Sequence, residues 1–540
     1  MEATSQTEPG NSESFLERHP VRCFLLFALC HATLWTLLPV LTQPNAPLDT
    51  LEMIYWGHEW QPGYYKHPPL PAWLAEFSCL FSSNDVWPTY VLCQIATIGC
   101  FWGAFQIGRE MRGNATGLLA VALLEGCHYY NFTTTEFNNN VTSRVWWALT
   151  ILCLYRGVKR QHFTSWVLAG LCLGLGMLSK YDTAILAIVM AVFSVVHPVG
   201  RRCWKTSGPA ACLVTAVLVF APHVAWLVSH DFPTVNYFLQ RSGSEHQWSS
   251  HIVLPLRFAA AQAGAVLPML ILAIPLIGFR WRFRSLENDE DRFNRDFLIW
   301  FACGPFILVE IVGLLLGVRI RSMWGTAMWS YAGVALLFFL QLNLNRETFR
   351  RTLYRSAVCT SLIALVFAGR NAALPHFRDK ASRIHFPGRQ LALKVGELYH
   401  QETGENPAII GGPWWEASNV AFYGQKPASV FADLDESISP WVTDQNLNQR
   451  GGVIVWTKSN DDSEFENSIT ERFPNARLMK PLELANQTSA SLEPIAFGVA
   501  VIPPDGQTAS TFANSGRVAG KTLDMASVNS PAMSGQSNQR

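Results

Sequence analysis

Residues 22–42 read RCFLLFALCHATLWTLLPVLT, and residues 47–74 continue as PLDTLEMIYWGHEWQPGYYKHPPLPAWL. The first stretch is long enough to cross a bilayer core of about 30 Å, which takes about 20 apolar residues in a helix. It is longer than the apolar part of a signal peptide and is followed by no small-residue cleavage site, so we expect it to remain as a span. The second stretch places titratable and aromatic side chains directly at the end of this span.

The rest of the chain repeats the apolar pattern. Of its 540 residues, 49% are hydrophobic and 15% are charged, and the mean hydropathy is +0.14. Soluble chains carry about 25% charged residues. Windows of span length predict about eleven transmembrane helices. They lie near residues 22–42, 87–108, 115–130, 141–156, 163–180, 183–199, 208–229, 253–279, 297–317, 324–342 and 354–369.

The composition changes after Arg370. Short apolar runs at residues 408–412, 452–456 and 495–502 alternate with helix-like stretches, a pattern that predicts a small α/β domain. The final segment is rich in Ser, Gly, Ala and Asn and is expected to be disordered. We therefore divide the chain into a cytoplasmic tail, an all-α polytopic membrane domain, an extracytoplasmic α/β domain and a disordered tail, at residues 1–21, 22–369, 370–505 and 506–540.

The distribution of positively charged residues among the loops predicts the orientation of the chain in the membrane. One alternate set of loops is rich in Arg and Lys, whereas the other set carries only five such residues: Lys66, Lys180, Arg241, Arg319 and Arg321. Cytoplasmic loops are the richer ones. We therefore expect a cytoplasmic N-terminus and an extracytoplasmic C-terminal domain.

Other features exclude several function classes. The formal net charge is +1, which leaves no basic field for nucleic acid. The 12 cysteines lie mostly in apolar segments without metal-binding spacing, so we expect neither a disulfide framework nor a zinc site. Gly411-Gly412-Pro413 is a turn and not a nucleotide-phosphate loop.

The first outer loop carries paired acids. Asp49 and Glu52 are three residues apart and share one face of a helix. Tyr55, Trp56 and Trp60 follow at near-helical spacing, as in an interfacial helix lying on a membrane. On this local evidence, an Asp that merely caps an amphipathic helix is an equal alternative to a functional acid.

A basic pair follows the acids in the same loop. Lys66 and His67 precede Pro68 and Pro69, and proline stiffens both its own backbone and the residue before it. Rigid cations beside carboxylates are suited to binding a phosphate.

The second outer loop is polar but nearly uncharged. Glu136 is followed by the amides of residues 138–140, and this strip predicts hydrogen bonding to a substrate. The alternative is an Asn-rich turn with no function. In the third outer loop, Lys180 and Tyr181 fit either a functional pair or a snorkelling lysine with an interfacial tyrosine.

Two further outer loops carry candidate residues. His230 and Asp231 end the fourth loop's aromatic segment, and Arg319 and Arg321 precede Trp324 in the fifth. Because basic residues are disfavoured on this side, a bound anion would explain the arginines.

Together these motifs resemble the polyprenyl-phosphate-dependent glycosyltransferases of the GT-C class. This class includes protein O-mannosyltransferases, lipid A aminoarabinose transferases and the Rgt-type galacturonosyltransferases. The resemblance covers about residues 20–370. It rests on Asp49 with Gly63-Tyr64 fourteen residues later, Lys66-His67-Pro68-Pro69-Leu70, the strip from Glu136 to Asn140, Leu178-Ser179-Lys180-Tyr181, and His223, Trp226 and His230-Asp231-Phe232-Pro233.

The resemblance implies a GT-C fold, a location in the bacterial inner membrane and particular roles for several residues. Asp49 matches the catalytic carboxylate of the class, and His67 matches a basic position near the lipid phosphate. Where many relatives have Asp-Glu and Pro-Asp, this chain has Asp49-Thr50 and Asn139-Asn140, so Glu52 or Glu136 would supply any second carboxylate.

The implied reaction is sugar transfer from a polyprenyl-phosphate donor to a lipid A, lipopolysaccharide, other cell-envelope glycan or protein acceptor, with inversion. Asp49 would be the general base, with Glu52 as the second catalytic acid. Cations would neutralise the phosphate. We assign the phosphate to Lys66, His67, Lys180, Arg319 and Arg321, and other substrate contacts to Trp56, Tyr64, Glu136, Asn140, His230 and Asp231.

Several alternatives remain open at this stage. Asp49, Glu52 and Glu136 would allow a divalent cation, Mg²⁺ or Mn²⁺, although a basic phosphate site could replace it. A lipid-linked sugar flippase or transporter would place its ionisable residues at mid-membrane depth, whereas these cluster at span ends. A glycan ligase or polymerase and a non-catalytic relative are further alternatives.

Overall fold

The computed structural model describes residues 15–82, 84–242, 247–277, 283–286, 288–342, 344–373, 377, 382–459, 461–487 and 493–506. The predicted tail from residue 507 onward and residues 1–14 lie outside this range. The helices before the C-terminal domain are α1 Phe15–Arg18, α2 Pro20–Thr42, α3 Leu48–His58, α4 Leu70–Cys79, α5 Trp87–Arg112, α6 Asn114–Leu124, α7 Asn139–Arg160, α8 Phe163–Ser179, α9 Thr183–Val196, α10 Pro198–Cys203, α11 Gly208–Ser229, α12 Pro233–Ser242, α13 Ser250–Ile277, α14 Asp289–Leu298, α15 Gly304–Leu316, α16 Ala332–Phe339 and α17 Arg346–Ala373.

Within the described residues, six helical segments are long and apolar enough to cross a membrane. They are α2, α5, α11, α13, the continuous α14–α15 segment and α17. Helices α6, α8 and α9 are apolar but shorter. Each of the eleven predicted spans contains a helix, although length and composition mark six segments as spans in the part of the chain that the structure describes.

The predicted span at 324–342 differs most from the structure. Its helical part is α16, which has 8 residues, and it is preceded by the 3-10 turn Ser322–Gly325. The Thr326 and Ser330 hydroxyls donate to the carbonyls three residues earlier, at 2.6 and 2.7 Å. Such local bonds compete with helix formation, and an apolar window does not reveal them.

The centre of the membrane domain is packed around α6. Residues 116–124 of this helix are all buried. A Cβ atom on Gly117 would lie 2.6 Å from the Phe105 carbonyl of α5, and one on Gly333 would lie 2.3 Å from the Ala120 carbonyl. Small residues at these points let the backbones approach closely. This packing fixes the end of α6, from which the second outer loop emerges.

A buried arginine holds that loop in place. Arg144 of α7 is 0% exposed and donates to the Tyr129 carbonyl and, at 2.6 Å, to the Thr97 hydroxyl. The loop then forms two 3-10 turns, His128–Tyr130 and Phe132–Thr135, before reaching Glu136. The position of Glu136 is therefore set by contacts with α5 and α7.

The chain after α17 forms an α/β domain, and the mixed all-α and α/β fold class predicted from the sequence is confirmed. Its elements are α18 Gly388–Thr403, β1 Ile409–Gly412, α19 Trp414–Tyr423, β2 Ser429–Ala432, α20 Asp444–Arg450, β3 Gly452–Thr457, α21 Ser463–Arg472, β4 Arg477–Leu478, β5 Leu482–Leu484 and β6 Ile495–Ile502. The sheet has the strand order β2-β1-β3-β6-β4, with β5 also paired to β6. Strands β1, β2 and β3 are parallel, and β6 is antiparallel to β3.

This domain packs directly on the first outer loop. The Ala46 amide donates to the Tyr423 hydroxyl at 2.9 Å, and the Asn45 amide donates to the Ile384 carbonyl at 3.0 Å. Apolar side chains of α3 and α4 share one buried cluster with α18, α19 and the sheet. The first loop is therefore enclosed by both domains.

Candidate active site

The first and second outer loops meet at Asp49. Pro47 precedes α3 with φ −63°, and Asp49 lies in the first turn, where helix amides favour an acid. Its backbone amide donates to Glu136 Oε1 at 2.9 Å, and its carboxylate accepts from Asn138 Nδ2 at 3.2 Å. Asp49 is thus hydrogen-bonded to the second loop, and it forms no ion pair with any described residue.

Burial raises the pKa values of the carboxyl groups of Asp49 and Glu136. It raises the pKa of Glu136 to about 7, and the negative charge of Asp49 adds to this increase. Burial likewise raises the pKa of Asp49, although its hydrogen bond from Asn138 and the charges of Lys66 and Arg383 act in the opposite direction. A carboxylate with a raised pKa is a stronger base.

Glu52 has a different environment from Asp49. It is 6% exposed and forms an ion pair with Lys66. The Lys66 ammonium also lies 5.0 Å from the Tyr65 ring centre and 5.3 Å from that of Trp414, which belongs to the C-terminal domain. Glu52 is therefore neutralised, and Lys66 is held between the two domains.

A second lysine lies beside the amide strip. Lys180 Nζ donates to Asn140 Oδ1 and to Asp182 Oδ2, both at 2.7 Å. Burial lowers the pKa of His67 to about 3, and the positive charges of Lys180, Lys66 and Arg241 contribute. These four basic residues, Lys66, His67, Lys180 and Arg241, are called the lysine cluster below. In it His67 is a neutral imidazole.

A cavity of about 650 Å³ opens in front of Asp49. It reaches Glu136, Asn138 and Asn140 on the second loop. In the other direction it extends to Arg370 at the end of α17 and to Arg383 in the 3-10 turn Arg383–His385. Its volume is in the range of small-molecule sites.

Other predicted residues lie away from this cavity. Trp56 and Tyr64 are 0% and 1% exposed, and their rings stack on each other with centres 5.1 Å apart. They are closed off from a substrate in this structure and instead support the loop. His230 and Asp231 are exposed beyond the end of α11, where the His230 ring stacks on Trp226.

Arg319 and Arg321 precede the 3-10 turn that carries Met323. Met323 lines the cavity, but neither arginine is among the described residues that do so. The structure thus brings Asp49, Glu136 and Asn140 together at the cavity and places Lys66, His67 and Lys180 next to them.

The three carboxylates suggested as metal ligands do not form one cluster, because Glu52 is paired with Lys66. Across the described part of the chain, no group of three or more His, Cys, Asp or Glu side chains could hold a metal ion. A divalent cation stays a prediction.

Four residues of this region do not stand out in the sequence. Asn138 was grouped with its neighbours, although an Asn before an apolar helix is a recognisable N-cap signal. Arg370 was treated as a domain boundary. Arg383 and Trp414 lie in the C-terminal domain, where no motif pointed to them, and they reach the site only through domain packing.

Several known proteins are similar to this chain in sequence. Residues 66–226 match the family model described as dolichyl-phosphate-mannose-protein mannosyltransferase. The chain is 22% identical over 465 residues to the lipopolysaccharide core galacturonosyltransferase RgtA of Rhizobium johnstonii, covering 84% of this chain and 89% of the relative. It is also 22% identical over 270 residues to the lipid A galacturonosyltransferase RgtD of the same organism, covering 49% of this chain and 54% of the relative, so this match spans about half of RgtD.

The fold is shared with solved structures. The crystal structure of ArnT from Cupriavidus metallidurans bound to undecaprenyl phosphate matches with a TM-score of 0.59 at 13% identity, covering 89% of this chain and 97% of ArnT. The apo form of the same protein matches with a TM-score of 0.59 at 12% identity, covering 91% and 98%. The matches support a glycosyltransferase and give no support to the flippase, transporter or ligase alternatives. The chain is a multi-pass membrane protein that is similar in sequence and in fold to glycosyltransferases of the GT-C class.

Proposed function

We propose that the protein transfers a sugar from a polyprenyl-phosphate-linked donor to a hydroxyl group of a lipid A, lipopolysaccharide core or other cell-envelope acceptor, with Asp49 as the general base. Two of its relatives are named as transferases that act on lipid A and on the lipopolysaccharide core, and this supports the proposed class of acceptor. Protein is a less favoured acceptor, because RgtA, which is similar over 84% of the chain, is named for transfer to the lipopolysaccharide core.

The observation that carries the proposal is the state of Asp49. It lines the cavity, it has an amide as its side-chain partner, and its pKa is raised by burial. Glu52 is neutralised by Lys66, so Asp49 is the better base of the two acids on α3. A proton taken from the acceptor hydroxyl would go to an Asp49 carboxylate oxygen as the hydroxyl oxygen attacks the anomeric carbon.

The lysine cluster is suited to the donor phosphate. As the bond from the anomeric carbon to the phosphate oxygen breaks, negative charge develops on that oxygen, and Lys66 and Lys180 would neutralise it. His67, being neutral, would contribute a hydrogen bond rather than charge. Displacement from the face opposite the phosphate inverts the anomeric centre.

The proposed orientation places this chemistry outside the cytoplasm. The basic loops favour a cytoplasmic N-terminus, which puts Asp49, the cavity and the α/β domain on the extracytoplasmic face. A cysteine added at exposed Lys426 should react with a membrane-impermeant thiol reagent in intact spheroplasts. Reaction only after lysis would contradict this orientation.

The proposed activity is tested with purified protein and radiolabelled sugars on synthetic polyprenyl phosphates, using glycolipid acceptors. The wild type should transfer label, and Asp49→Asn should lower kcat at least about 100-fold, as expected for loss of a general base. The matched control is Asp85→Asn, since Asp85 is exposed and its pair with Arg389 lies outside the cavity.

The control should transfer at the wild-type rate. Near-normal turnover by Asp49→Asn would remove Asp49 from the base role. If the wild type transfers no label from any donor but moves labelled donor across a vesicle membrane, the transferase proposal is wrong.

A further inference from the structure

The cavity in front of Asp49 is lined by two basic residues that are not part of the proposed donor site. Arg370 and Arg383 line it from the ends of two different elements. Both are exposed, and neither forms an ion pair with any described residue. They are called the arginine pair below.

The arginine pair lies where a membrane-anchored molecule could reach it. Arg370 is at the outer end of α17, a helix long and apolar enough to span the membrane. Its guanidinium lies 5.3 Å from the ring centre of Phe132, and Phe132 and Phe367 form an apolar part of the cavity wall. The cavity therefore combines an apolar wall near the membrane with cationic groups above it.

The chemistry of the arginine pair indicates that the group it binds is an anion. A guanidinium presents a planar set of donors that matches the oxygens of a phosphate or carboxylate. His128, which also lines the cavity, has a pKa lowered by burial and by the charge of Arg370, so it adds no positive charge at neutral pH. Among the described residues, Arg370 and Arg383 are the two arginines that line the cavity, and no lysine is part of this lining.

The position of Asp49 decides which substrate occupies the cavity. A general base must lie within hydrogen-bond reach of the hydroxyl that it deprotonates. Asp49 lines the cavity, so the acceptor hydroxyl must enter there. The lysine cluster does not line the cavity, and it already provides for the donor phosphate.

We propose that this cavity is the acceptor site and that Arg370 and Arg383 select an acceptor carrying a phosphate or carboxylate group. This inference rests on the proposed function and adds the chemical class of its acceptor. The anionic group sits on the arginine pair, the lipid chains lie against the outer end of α17, and the hydroxyl to be glycosylated points to Asp49.

The test compares three synthetic glucosamine-disaccharide lipids that differ in one substituent: a phosphate, a carboxylated sugar, or neither. The variants are Arg370→Gln, Arg383→Gln and the double variant. The matched control is Arg350→Gln, an exposed arginine near the other end of α17. The measurements are KM and kcat for each acceptor, KM for the donor, and direct binding of each lipid to the Asp49→Asn protein.

The wild type should prefer the anionic acceptors, and the double variant should raise KM for them about 10- to 100-fold, as expected for loss of charge-assisted hydrogen bonds. Binding to Asp49→Asn should weaken by a similar factor when the arginine pair is also replaced. The preference over the neutral acceptor should disappear in the double variant, and Arg350→Gln should retain it.

Two other outcomes contradict the inference. A raised KM for the donor with an unchanged acceptor preference would assign the arginines to the donor phosphate. Equal use of all three lipids by the wild type would show that the cavity does not select an anion, while transfer itself would leave the proposed function standing. Absence of transfer to every acceptor would instead count against the proposed function.

Discussion

At the residue scale, the raised pKa of Glu136 links stability to pH. Its pKa is about 7 in the folded protein, against an ordinary value of 4.5. The folded state therefore binds a proton more tightly than the unfolded state, and this contribution to stability is full below about pH 4.5 and is lost as the pH rises through about 7.

We expect the melting temperature of the wild type to fall between pH 5 and pH 8 more than that of Glu136→Gln, which keeps a neutral side chain throughout. The measurement is thermal unfolding in detergent at a series of pH values. Glu397→Gln, an exposed carboxylate on α18, serves as the control and should keep the wild-type slope. An identical slope in Glu136→Gln would show that Glu136 ionises normally.

At the scale of the elements, the start of α7 positions the proposed base. The Asn138 side-chain oxygen accepts from the amides of Asn140 and Val141, and its Nδ2 donates to Asp49. One side chain therefore both caps a helix and orients the carboxylate on a different helix.

Asn138→Ala should cost about 1 kcal/mol of stability through loss of the cap. It should also lower kcat, by about 10-fold, because Asp49 loses its hydrogen bond. Thr443→Ala removes the cap of α20 in the C-terminal domain and should cost similar stability without changing kcat. Equal effects of the two variants on kcat would show that Asn138 acts only as a helix cap and does not orient Asp49.

At the scale of the whole molecule, the α/β domain forms part of the site. Trp414 at the start of α19 lies over Lys66, and the Lys66 ammonium is also paired with Glu52. A cation over an aromatic face gains up to about 2 kcal/mol when desolvated. The C-terminal domain thus helps to hold a side chain that we assign to the donor phosphate.

Trp414→Ala should raise the donor KM or lower kcat several-fold, and Trp414→Phe should recover most of the loss because it keeps a ring over Lys66. Steady-state kinetics with a fixed acceptor measures both, with thermal unfolding to check that the domain remains folded. Wild-type kinetics in Trp414→Ala would show that the domain packs on the loop without affecting Lys66.

Some features were predictable from local sequence. The positions of most membrane helices and of the α/β domain follow from apolar runs, because burial in lipid or in a core imposes its own periodicity and length. Asp49, Glu136 and Lys180 stood out because they lie directly beside apolar spans, where a charged side chain needs a polar partner or a function. The resemblance to the GT-C class depended on the order of these same residues.

Other features depended on the tertiary structure. The structure pairs Glu52 with Lys66, stacks Trp56 on Tyr64 and leaves His230 exposed. Each of these contacts depends on which surfaces meet, and burial then determines the charge of a side chain and whether a substrate can reach it. The sequence by itself therefore determined a membrane domain with ionisable groups at its outer face and an α/β domain after it. Only the tertiary structure decided which acid stays unpaired, because the first outer loop folds Lys66 back onto Glu52. It also decided that Arg383 and Trp414 reach the site, because those contacts join residues hundreds of positions apart through the packing of two domains.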